Sequence, residues 1–197
     1  MSRSIGAVCV FAGSSSGTAA TYTDAARGLG RLLAARGVGL VYGGARVGLM
    51  GAVADAALEA GGSVVGVIPS ALVTKEVAHS GLTELHVVSS MHERKAMMAG
   101  LADAFVALPG GLGTWEELFE IATWGQLGLH DKPCGLLNTD GYFDRLLAFV
   151  DHAVDQGFLR REHAGMIAVA SDAMGLIERL ESYRPPRVGK WIDREST

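Results

Sequence analysis

Two cysteines in 197 residues, Cys9 and Cys134, leave no disulfide framework and no zinc cluster to consider. Both lie inside apolar runs and read as small buried hydrophobes of a reducing compartment. The apolar stretch from Ile5 to Ala12 is too short to span a membrane, and the Gly-Ser cluster after it reads as a turn, not a cleavage site. Basic charge is scarce: the net charge is −4 and the isoelectric point near 5.8, so nucleic acid and anionic membrane are not expected partners. Only four lysines occur, none in a cofactor-linking context. The six histidines (His79, His86, His92, His130, His152, His163) lack metal-ligand spacing, and there is no HExxH. Ser14–Ser16 do not sit in a GxSxG elbow. The expectation is a cytoplasmic protein with no metal and no cofactor.

What is abundant is glycine: 27 residues, about twice ordinary usage. They fall singly and in pairs at the ends of apolar runs, as tight turns require where backbone approaches backbone or ligand. The remaining composition, 49% hydrophobic and 19% charged, is that of an ordinary globular chain. Strand-like runs at Ala7–Phe11, Val38–Tyr42, Val64–Ile68, Glu84–Val88, Ala104–Leu108 and Pro133–Leu137 alternate with helical patterns. Those patterns lie near Thr21–Arg36, Met50–Glu59, Met91–Ala102, from Trp115, Tyr142–Gln156 and Asp172–Ser182. Strands of about five apolar residues without alternation suit a sheet covered on both faces. The pattern predicts a doubly wound, Rossmann-like α/β fold: one domain over 1–183, a parallel sheet with helices on both faces, and a loosely packed tail over 184–197. Ligands of such sheets bind beyond the carboxyl ends of the strands.

Three glycine-bearing loops lie there. Pro109-Gly110-Gly111-Leu112-Gly113-Thr114-Trp115-Glu116-Glu117 is a strand-to-helix turn whose amides can converge on an anion, with a hydroxyl from Thr114. It is neither a Walker A loop nor a GxGxxG fingerprint. Thr114-x-x-Glu117 also reads as a capping box, which would give the glutamate a purely structural role. In Met91-His92-Glu93-Arg94-Lys95, Ser90 and Glu93 form a second capping box. That puts two cations where the helix dipole opposes them, by about 0.3–1 kcal/mol each when exposed. They are a solvated pair or an anion site. Tyr42–Gly51 and Gly13–Gly17 are further walls of one cleft, or sites of close packing. The residues alone lead to a phosphate-bearing small-molecule site with a Glu and an Arg facing each other across it.

PGGLGTWEE together with MHERKAMM resembles the paired signature of the LONELY GUY (LOG) family, cytokinin riboside 5′-monophosphate phosphoribohydrolases. The likeness continues through VFAGSSSG, VYGGARVGLMG and TWGQLGLHDKP and covers roughly residues 5–180. It implies hydrolysis of the N-glycosidic bond between a purine base, an N6-substituted adenine, and ribose 5-phosphate. It implies Arg94 and Glu117 as the catalytic pair. The implied nucleotide-binding positions are Glu76, Arg94, Lys95, Gly111, Leu112, Gly113, Thr114, Trp115, Glu116, Glu117 and Thr123. A homodimer or higher homo-oligomer follows from the same resemblance. A broader AMP or purine-nucleotide nucleosidase and a non-catalytic nucleotide carrier or sensor are the competing readings. Related sequences also bear the label lysine decarboxylase, a chemistry the residues give no reason to adopt.

Overall fold

The computed structural model describes residues 3–73 and 78–186. The apolar runs become β1 (Ala7–Phe11), β2 (Gly39–Tyr42), β3 (Val64–Pro69), β4 (Glu84–Val88), β5 (Ala104–Ala107), β6 (Cys134–Leu137) and β7 (Ile167–Ala170). They form one parallel sheet in the order β4-β3-β2-β1-β5-β6-β7. The helices are α1 (Ala20–Ala35), α2 (Gly48–Glu59), α3 (Ser70–Val73), α4 (Met91–Leu101), α5 (Leu112–Gln126), α6 (Asp144–Asp155), α7 (Arg161–Ala164) and α8 (Ala173–Ser182). The sheet buries two cores. One holds Leu29 and Leu33 of α1, Val53 of α2 and Leu176 of α8; the other holds Met98 of α4, Leu118 and Ile121 of α5, and Phe143. The doubly wound α/β expectation therefore holds.

β5 and β6 are buried throughout, which is why they read as unbroken apolar runs. β4, at one edge, is largely exposed, and its Glu84 pairs with His86 at 3.1 Å. β7, at the other edge, is a strand that the sequence pattern does not predict. Its four residues IAVA carry a weak strand signal, and pairing with β6 from Cys134↔Ile167 to Leu137↔Ala170 decides their state. Most of the expected tail, residues 187–197, lies outside the described residues.

The chain winds outward from β1 to β4, then crosses back to place β5 on the other side of β1. The loops after β1 and β5 consequently leave the sheet towards opposite faces. This is the topological switch point, where open α/β sheets hold their ligands. The amide of Gly13 donates to the carbonyl of Pro109 at 3.1 Å and ties the two loops together at that point.

Candidate active site

The glycine-rich turn after β5 begins its helix earlier than the sequence suggests. The N-cap of α5 is Gly111, extended at φ −99° and ψ −154°, and Trp115 N donates to Gly111 O at 3.1 Å. Thr114 thus lies inside the first turn, and Thr114-x-x-Glu117 is not a capping box. Glycine is among the residues that N-cap positions favour, and here it brings no side-chain acceptor. Two consequences follow. The first-turn amides of α5 receive no side-chain cap, and Glu117 moves to the second turn, relieved of any capping role.

Thr114 and Glu117, three residues apart, share one helix face. That face borders a cavity of about 290 Å³, near the low end for small-molecule sites. Gly111, Leu112, Gly113, Thr114, Glu116 and Glu117 line it on the α5 side, and Arg94 lines it on the α4 side. Six further walls are residues to which the sequence assigns no role or an ambiguous one: Ala12, Gly13 and Ser14 after β1, Met50, Leu72 and Met91. Gly13, Ser14 and Met50 belong to loops flagged by their glycines. Leu72 carries no local signal at all.

Ser90 caps α4 as expected, its hydroxyl accepting from Glu93 N at 3.1 Å. The return bond differs. The Glu93 carboxylate accepts from Ser89 N at 2.8 Å and Ser89 Oγ at 2.6 Å, and these bonds lower its pKa. The cap sets Arg94 in the first turns of α4, where it is only 6% exposed. Its Nη2 donates to Gly43 O at 3.1 Å, and its Nε has no hydrogen-bond partner. A cation held like this, against the helix dipole and with a spare donor, is not a solvated one. The β2 loop explains the fit, because a Cβ on Gly43 would land on the Arg94 guanidinium. Arg94 and Glu117 both act on the Cys9 thiol of β1 beneath them. Burial raises that thiol's pKa most, Glu117 raises it further, and Arg94 opposes.

The other nominated residues are placed differently. Lys95 sits between Glu116, at 2.5 Å, and Glu120, at 3.0 Å, with its side chain 10% exposed. Partial burial works against its charge, but the bonds to the two carboxylates outweigh that and raise its pKa. Trp115 and Thr123 are exposed and do not line the cavity. Glu76 lies outside the described residues. Among the described residues no group of three or more His, Cys, Asp or Glu could hold a metal ion. No described helix is long and apolar enough to cross a membrane.

A parallel α/β sheet with a buried arginine and a glutamate beside an uncapped helix N-terminus at its switch point defines a small-molecule site suited to a phosphorylated ligand. Over residues 50–180 the chain matches the family described as "Possible lysine decarboxylase". It is 57% identical to a rice (Oryza sativa subsp. japonica) protein named "Probable cytokinin riboside 5′-monophosphate phosphoribohydrolase", across 90% of this chain and 78% of that one. It is 51% identical to a cytokinin riboside 5′-monophosphate phosphoribohydrolase of Arabidopsis thaliana, across 92% and 80%. The chain belongs to this family. Among solved structures, the molybdenum cofactor carrier protein of Chlamydomonas reinhardtii has the same fold, with a TM-score of 0.67 and 25% identity over 89% of this chain and 96% of that one.

Proposed function

We propose that this chain hydrolyses the N-glycosidic bond of cytokinin riboside 5′-monophosphates, releasing the free N6-substituted base and ribose 5-phosphate. The observation that carries this reading is the meeting of Arg94, Glu117 and the α5 N-terminus in one cavity, in a chain about half identical to phosphoribohydrolases. In this reading the phosphate rests on the Gly111–Thr114 amides and the Thr114 hydroxyl. The base lies against the apolar side chains of Met50, Leu72 and Met91. Bond breaking builds positive charge on the ribose, as in glycoside hydrolysis. Glu117 stabilises that charge and orients the attacking water. Arg94, whose guanidinium does not give up its proton, positions the glutamate against the sugar; it is not the acid.

Among the described residues, the lysines give decarboxylase chemistry no support. Lys95 is held by two carboxylates, and Lys132 Nζ donates to Ala99 O at 2.7 Å. The carrier reading is favoured by the likeness to the molybdenum cofactor carrier, but a carrier needs no carboxylate at Glu117. A homodimer fits one further feature. Leu112, Trp115, Phe119 and Thr123 form an exposed stripe along α5, where a second copy would bring Trp115 and Thr123 to its neighbour's site. Two unpaired buried cysteines suit the cytoplasm.

The test is chromatographic detection of free base from AMP, isopentenyladenosine monophosphate and adenosine. Several charge-assisted phosphate contacts, each worth about 1.5–3 kcal/mol, should give the monophosphates at least a hundredfold higher kcat/KM than adenosine. The apolar wall should favour the isopentenyl substrate over AMP by about tenfold. Tight binding without base release would favour the carrier, and equal rates on AMP and adenosine would refute the phosphate cradle.

A further inference from the structure

We propose that Tyr142 is a positioning residue that locks the Gly110–Gly111 peptide so that the Gly111 amide faces the phosphate. This rests on the phosphate cradle proposed above. The Tyr142 hydroxyl donates to Gly110 O at 2.5 Å, across 32 residues of sequence. Carbonyl and amide of one trans peptide point in opposite directions. Holding the Gly110 oxygen towards Tyr142 therefore turns the Gly111 N–H the other way. Tyr142 lines a second cavity of about 350 Å³ together with Tyr22, Pro109 and Gly110, and does not line the cavity of Arg94 and Glu117; Gly111 borders both. The amide released by this arrangement is aimed at the Arg94 side.

The lock is needed because both residues flanking this peptide are glycine. Neither residue has a Cβ to oppose a flip of the peptide. A flipped peptide would present the Gly110 carbonyl oxygen, in place of an N–H, to the anion. Among the described residues the Tyr142 hydroxyl is the donor that opposes the flip.

Tyr142 itself is set by a pinned turn between β6 and α6. Asn138 Oδ1 accepts from Phe143 N at 2.7 Å, and Asn138 Nδ2 donates to Asp144 Oδ1 at 2.7 Å. Asp140, left-handed at φ 51°, accepts from Thr21 Oγ1 of α1 at 2.5 Å. The tyrosine ring packs edge-on against Tyr22 and Phe143, at 5.7 and 4.9 Å between centroids. A left-handed non-glycine residue is costly and persists where its surroundings over-determine it. Here the turn delivers one hydroxyl to one carbonyl.

The test is Tyr142→Phe, which keeps the ring and its packing and removes only the donor. Losing one aligned phosphate contact should raise KM for a nucleoside monophosphate, and Kd for ribose 5-phosphate by calorimetry, by about tenfold. Turnover should stay within about threefold and the melting temperature should hold. In a protein labelled at glycine nitrogen, the Gly111 amide should shift on titration with ribose 5-phosphate in the parent and respond weakly in Tyr142→Phe. Unchanged KM and Kd, or a fall confined to kcat, would overturn the proposal. So would an identical Gly111 response in both proteins, a readout that does not depend on turnover. A parent protein that neither cleaves nucleotides nor binds ribose 5-phosphate would instead remove the cradle on which the proposal stands.

Discussion

Glu117 is the residue whose role the helix boundary decides. With Gly111 as the N-cap, the glutamate has no part in starting α5. Glu117→Gln preserves size and hydrogen bonding and removes the charge that would face a developing cation. It should lower kcat by about 10²–10³, the scale of deleting one preorganised electrostatic group, while leaving the melting temperature and nucleotide affinity near the parent's. A single-turnover assay with a thermal melt alongside checks this; activity within about threefold of the parent would exclude the carboxylate from the chemistry. Gly43 makes a companion case. A Cβ there meets the end of the Arg94 side chain, which can move, so Gly43→Ala should fold. Its loss of turnover should match that of Arg94→Ala, although residue 43 itself touches no reacting atom. Full activity in Gly43→Ala would mean that the observed seat of Arg94 is not the working one.

At the scale of elements, Lys95 joins α4 to α5 through Glu116 and Glu120 and so keeps the helices that carry Arg94 and Glu117 in register. Lys95→Met should cost about 1 kcal/mol, since Glu116 is largely exposed and screened, or about 2–4 °C in melting temperature for a domain of this size. The pH dependence has a definite sign. The folded pKa of Lys95 is raised, so the contribution is fully present below the ordinary lysine value and disappears as pH rises through the folded one. Urea unfolding of parent and variant should differ at neutral pH and converge in strongly alkaline solution. A gap that persists there would mean that packing of the lysine stem, not its charge, couples the helices.

For the whole molecule, the exposed stripe of α5 bears on assembly, although Phe149 and Phe158 elsewhere are exposed as well. Leu112, Trp115 and Phe119 are all large and exposed along one side of the helix that carries Glu117. Light scattering at micromolar concentration should return the mass of at least two chains, and Phe119→Glu should return one. A monomeric parent would reassign Trp115 and Thr123 to the bare surface. The same scale explains the position of the site, because reversal of strand order at β1 and β5 opens the crevice between their loops.

The alternation of short apolar runs with helical patterns determined the parallel sheet by itself, since strands buried on both faces must be apolar at every position. The glycine turns and the Arg94 and Glu117 signatures were equally local, so the sequence alone nominated both residues. β7 was not readable, because its four residues acquire a strand state only by pairing with β6. The start of α5 is hidden for a related reason: a glycine N-cap leaves no side-chain mark, whereas Thr114 and Glu117 imitate one. The bonds from Lys95 to two carboxylates twenty-one and twenty-five residues away leave no local mark in the sequence. Burial of Arg94 beneath Gly43, the approach of Leu72 to the cavity and the bond from Tyr142 to Gly110 join residues remote along the chain. Such contacts depend on where the sheet places its loops, so only the tertiary structure could decide them.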